Sequence, residues 1–153
     1  MRDLGRLLEL SGRTKVRVSV SITTNREAVR RLYEPLCASI DERLRVIRAL
    51  RETGIETYAT LAPLLPCDPE ALARAAIEAS GRDLIGDPLH IRAVKRHGAT
   101  TRAEGWRVSE KNGFDAWLDA DFQAGIIERI ERAAGEMGKT FLTGPRGFAR
   151  LAK

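Results

Sequence analysis

Hydroxyl side chains occupy alternate positions of one strongly β-patterned stretch, Lys15-Val16-Arg17-Val18-Ser19-Val20-Ser21-Ile22-Thr23-Thr24. Successive side chains of a strand point to opposite faces. Ser19, Ser21 and Thr23 therefore share a face with Arg17, while Val16, Val18, Val20 and Ile22 share the other. A row of hydroxyls suits a ribose or a carboxylate. Two arrangements produce such a strand: a barrel wall with helices outside and a polar ligand inside, or an edge strand whose polar face meets water.

Other reactive residue types lack the spacing their chemistry requires. Cys37 and Cys67 are the two cysteines, and a lone pair so far apart matches no zinc or iron–sulfur spacing. The two histidines, His90 and His97, stand in no nucleophile motif, and there is no Gly-x-Ser-x-Gly. Gly138-Lys139-Thr140 lacks the earlier glycine of a phosphate loop. Gly144-Pro145-Arg146-Gly147 reads as a turn, and Asp119 and Asp121 as residues at a helix start. No catalytic residue and no metal ligand is assigned.

Charge leaves two options open. The chain of 153 residues carries a net charge of +5, which suits either a salt-bridged surface or a face for a polyanion. Arg92, Lys95, Arg96, His97, Arg102 and Arg107, with Trp106, mix base and aromatic as a phosphate-and-stacking surface does. Nucleic acid is thus one candidate partner. No apolar run approaches membrane-spanning length, and the first residues lack the apolar core of a signal peptide. A cytoplasmic location is expected, without a membrane partner.

The elements that must position these residues alternate between strand and helix. Residues 2–10 suggest a short helix ending near Gly12. A polar stretch over 25–38 has room for one or two helical turns at 26–32. Ser39 and Glu42 have the spacing of a capping box, and Ile40, Leu44, Ile47 and Leu50 form the apolar face of the helix that follows. Gly54 ends it. A second strand covers 56–65. Asp68 caps and Pro69 opens a helix over 69–80, with Leu72, Ala75, Ala76 and Ala79 inside. A third strand is expected over 83–90, and an irregular excursion over 91–113. A final helix over 119–137, with Phe122, Ile126, Ile127 and Ile130 on its apolar face, precedes a short strand over 139–143.

Strand–helix alternation with short connections implies parallel strands joined by right-handed crossovers. The expected fold is α/β, a single domain over 1–153. It is a partial (β/α) barrel of about three β/α units, plus a C-terminal helix and a short strand. A closed eightfold barrel needs roughly 200 residues at minimum. An open half-barrel leaves strand edges unpaired, which favours association with another chain or with a second copy.

The order of these segments resembles one family. Val18-Ser19-Val20-Ser21-Ile22-Thr23-Thr24, then Glu34-Pro35, then Ser39-Ile40-Asp41-Glu42-Arg43-Leu44, then Leu50 with Gly54-Ile55, is similar to the fourth strand and helix of radical S-adenosylmethionine proteins. The group resembled is the spore photoproduct lyase-like, or DNA repair photolyase-like, one. Ala62-Pro63-Leu64-Leu65-Pro66 is similar to its fifth strand and Asp87 to His90 to the end of its sixth. The resemblance implies a partial barrel that binds a [4Fe-4S] cluster and S-adenosylmethionine. It places Ser19 or Ser21 at the ribose or aminoacyl part of the cofactor, and Ala62, Pro63 and Leu64 along the adenine. The family's three-cysteine motif and its glycine-rich second strand are both missing, and Cys67 stands where the family has glycine. The resemblance therefore implies the C-terminal half of such an enzyme, inactive alone: a truncated fragment, a split form whose partner chain carries the cluster-binding half, or a remnant put to another use. Two other readings compete with it: a basic nucleic-acid or protein-binding module derived from that fold, and an unrelated small α/β enzyme.

Overall fold

A computed structural model describes residues 3–89 and 103–152. The chain is α/β. Among the described residues its sheet has four parallel strands: β1 (Arg17–Ser21), β2 (Glu56–Leu64), β3 (Leu84–Pro88) and β4 (Phe141–Thr143). The strands lie in the order β1-β2-β3-β4. Spatial order thus follows chain order without reversal. Right-handed crossovers then put every connecting helix on the same side of the sheet, whereas a doubly wound sheet reverses and covers both faces.

The connecting helices are α3 (Ile40–Glu52), α4 (Pro69–Ser80) and α6 (Ala120–Glu136). They form one layer, with α3 against α4 and α4 against α6. Local sequence starts each of them. The Ser39–Glu42 capping box forms in both directions, and Asp68 and Asp119 accept from the backbone amides of Ala71 and Phe122. These bonds satisfy amides that the first helical turn leaves without partners. Gly81 ends α4 at φ 68°, a left-handed conformation that costs a residue without Cβ little.

One core fills the space between this layer and the sheet. Ile22, Ala59, Leu61, Leu84 and Phe141 meet Leu44 and Ile47 of α3, Leu72 and Ala76 of α4, and Ile126 and Ile130 of α6. The aliphatic side of β1 faces this core, with Val20 packed at its margin. Phe122 departs from the expected apolar face: it is 39% exposed and stacks edge-on against Trp117 at 5.4 Å.

Shorter helices sit elsewhere. α1 (Leu4–Ser11) precedes β1 and buries none of its residues. α2 (Glu27–Tyr33) meets α5 (Ala103–Lys111). A second small cluster, Val29, Leu65 and Leu89, draws in Tyr33, Phe114 and Leu118. The expected irregular excursion over 91–113 is corrected at its end, because 103–111 is helical. The signal was weak because the buried side of α5 rests on a hydroxyl: Ser109 is fully buried and lies 2.7 Å from the Tyr33 hydroxyl. Gly144-Pro145-Arg146-Gly147, expected as a turn, lies in a short helix, α7 (Gly144–Phe148). Leu142 must point away from the core that holds Phe141, and a Cβ on Gly147 would lie 3.2 Å from the Leu142 Cβ. α7 therefore covers the β3–β4 half of the face opposite the helix layer, and Ile85 is fully buried there.

Gly86 is where β3 comes closest to its surroundings. A Cβ there would sit 2.6 Å from the Leu61 carbonyl oxygen and 2.7 Å from the Phe141 ring. Gly86→Ala should cost about 1–3 kcal/mol as overpacking, read as a lower urea midpoint. Gly135→Ala is the control: it lies in α6 with none of the described residues within 4 Å of its Cβ position, and should be neutral or stabilising by up to ~1 kcal/mol.

Candidate functional site

The β1–β2 half of the same face carries the hydroxyls. Strand pairing places Ser19 opposite Tyr58 and Ser21 opposite Thr60. The Thr60 hydroxyl lies 3.2 Å from that of Ser19 and 3.4 Å from that of Ser21. Ser19 and Ser21 are exposed, while Thr60 is buried between them. The structure thus gathers three hydroxyls into one patch, of which the sequence pattern identified two. Thr60 escaped because Thr-Leu-Ala in β2 is mostly apolar, and its partner row is set only by register.

Thr23 continues the row but is buried, and its hydroxyl has no hydrogen-bond partner among the described residues. Next to it, Thr24 donates to the Pro66 carbonyl at 2.7 Å, and Asn25 bonds the backbone of Asp68 in both directions. These bonds tie the end of β1 to the loop after β2. The residues expected along an adenine, at the end of β2, part company here. Pro63 is exposed and Ala62 half-buried, after a cis Ala62–Pro63 peptide. Leu64 is 2% exposed and belongs to the main core. Its side chain is therefore a packing residue and offers no ligand surface, because the strand irregularity between Leu61 and Leu64 turns it toward the helices.

Below the hydroxyls the patch becomes ionic. Arg17 donates to Glu56 at 2.9 Å, and the Tyr58 hydroxyl donates to the same carboxylate at 2.7 Å. Arg82 lies 3.5 Å from Glu56 and 5.2 Å from the Tyr58 ring centre. The Tyr58 hydroxyl, with Arg17, holds the Glu56 carboxyl below its ordinary pKa against the opposing effect of burial. Burial, and next the Glu56 carboxylate, raises the Tyr58 phenol. At the upper rim Arg43 donates to the Ser21 carbonyl at 3.1 Å and pairs with Glu34 at 2.6 Å. The Ile22 amide bonds across to Thr60, so the Ser21 carbonyl points to the free edge of β1. Arg43 thus caps that edge at its end.

The cysteines do not meet. Cys37 is exposed on the loop before α3, whereas Cys67 is buried in the main core, and burial pushes its thiol up to about 12. Among the described residues no three of His, Cys, Asp and Glu gather as a metal site. His90, His97, Arg92, Lys95, Arg96 and Arg102 lie outside the described residues. Of the basic and aromatic segment, Arg107 and Trp106 remain, on α5, and Trp106 is 37% exposed. No helix among the described residues is long and apolar enough to cross a membrane.

Comparison with known proteins identifies no relative: no protein family, no curated protein and no solved structure is matched.

Two outcomes follow from this geometry. Thiol titration of the native protein near pH 8 should find one fast thiol, Cys37, and a second only after unfolding, since a neutral buried thiol does not react. Because the native Glu56 pKa is depressed, its contribution to stability is present above the ordinary carboxylate range and is lost as pH falls below about 4–5 toward the native value. Urea midpoints of Glu56→Gln should accordingly fall less steeply with acid than those of the parent.

Proposed function

We propose that this chain forms the C-terminal, cofactor-side wall of a partial (β/α) barrel of the radical S-adenosylmethionine type, spore photoproduct lyase-like. The observation that carries the reading is the unreversed parallel sheet: a helix layer on one side, and exposed Ser19 and Ser21 beside Thr60 on the other. A barrel wall has this division, and barrel sites are built toward the C-terminal ends of the strands. The residues fit S-adenosylmethionine in kind. The three hydroxyls suit its ribose or aminoacyl group, and Ala62 with Pro63 gives an accessible apolar surface for the base.

The residues do not fit an iron–sulfur cluster. Cys37 and Cys67 lie on different elements, and the Cys67 thiol is held protonated by burial; a cluster needs thiolates converging on it. S-Adenosylmethionine supplies a sulfonium whose reductive cleavage needs an electron from such a cluster. The part left to this chain is to bind and orient the cofactor: hydroxyls on β1 and β2 fix its polar end, and Ala62 and Pro63 at the end of β2 shield its base. The cluster ligands then belong to another stretch of polypeptide, joined along the free edge of β1. A cytoplasmic setting, which keeps thiols reduced, suits both free cysteines.

The test is a ¹⁵N NMR titration of the purified chain with millimolar S-adenosylmethionine. Amide shifts should concentrate at Ser19, Ser21, Thr60 and Ala62, and Ser21→Val should abolish them while leaving the urea midpoint unchanged. Saturating shifts elsewhere, or none at all, would overturn the reading.

A further inference from the structure

We propose that the opposite rim of the same sheet, at the N-terminal ends of β2, β3 and β4, is a binding site for a small phosphorylated anion. This inference is independent of the cofactor reading, since it uses other residues.

A cavity of about 190 Å³ opens there, lined by Tyr58, Arg82, Asp83, Ile85, Lys139 and Arg150 among others. Three cations thus converge on a bowl that holds one carboxylate. Asp83 is already engaged on both oxygens: it accepts from the Thr140 amide at 2.9 Å and from Arg150 at 3.0 Å. Those partners hold its carboxyl below the ordinary range, so it stays ionised. Even with Asp83 ionised and Glu56 beside Arg82, the cations around the bowl exceed the carboxylates by one. Arg82 is anchored from the side by Glu56 and by the Tyr58 ring, which fixes its guanidinium at the rim.

Basic residues near helix ends often serve the terminal carbonyls, and α4 and α6 both end at this rim. Here backbone amides already serve some of those carbonyls, and the Arg51 side chain serves that of Glu78. The Gly81 amide bonds to the Ile77 carbonyl, and the Lys139 amide to that of Ala134. The Lys139 side chain is therefore left for another partner, and Arg82 keeps guanidinium donors beyond the nitrogen that faces Glu56. Size narrows the choice: clefts that enclose drug-sized ligands measure ~300–1,000 Å³, and this one is smaller. A phosphoryl group, with oxygens for several cationic donors at once, matches the charge and the room.

The experiment is calorimetric titration with inorganic pyrophosphate at low ionic strength, beside a short oligothymidylate. One saturable pyrophosphate site is expected, weakening as salt is added. Lys139→Gln should weaken it about tenfold, the loss of one charge-assisted contact, at an unchanged urea midpoint. Asp83→Asn should tighten it, because the amide oxygen still accepts from Thr140 while the competing charge is gone and Arg150 is released. A merely basic surface would also tighten with Asp83→Asn, but it would not saturate at one site or lose about tenfold with Lys139→Gln alone. Failure to saturate, equal affinity in Lys139→Gln, or binding of the oligothymidylate without pyrophosphate would each overturn the proposal.

Discussion

The handedness of the crossovers governs this molecule. Once the strands run parallel and in chain order, right-handed connections have only one side of the sheet on which to lay α3, α4 and α6. Most apolar side chains of the strands that point to that side are driven dry by the same layer, with Val18 and Val20 of β1 at its margin. Every side chain that points the other way must find water, a partner or a local cover. The chemistry of the chain is confined to that second face.

That face is divided. Toward β3 and β4, α7 folds back over Ile85 and Leu142 and closes a small apolar patch. Toward β1 and β2 it is left polar, with hydroxyls above and an ion network below. The division explains why Glu56, Tyr58, Arg17 and Arg82 are tied together. Charged groups on a half-covered sheet lose part of their hydration, and mutual pairing compensates for the loss. The same network separates the hydroxyl patch from the cationic bowl, so two regions of different chemistry share one wall.

The edge of β1 is the other consequence of the open order. An unpaired edge offers amides and carbonyls to any passing strand. Arg43 takes up the Ser21 carbonyl, which blunts the edge at one end. α1, lying just before this strand with no buried residue, leaves Leu8 and Leu10 exposed. In the rest of the chain, each helix that leads into β2, β3 or β4 packs against the helix layer. α1 has the place of such a helix without the layer beside it.

Much of this was legible in the residues alone. Period-two alternation fixed β1 and the two faces of its side chains, and capping residues located α3, α4 and α6 to within a residue or two. These signals are local: they depend on neighbours in sequence, so no fold is needed to read them. What the tertiary structure decided is register and cover. Thr60 joins Ser19 and Ser21 only because β2 pairs with β1 at that offset, and Leu64 turns into the core only because of an irregularity against β3. Helix α5 is held by a Tyr33–Ser109 hydroxyl pair across 76 positions, and the cationic bowl draws on β2 and on the segments that precede β3 and β4 and follow α7. Such contacts join residues far apart in the chain, and their free energy appears only when the helix layer and the sheet have closed on one another.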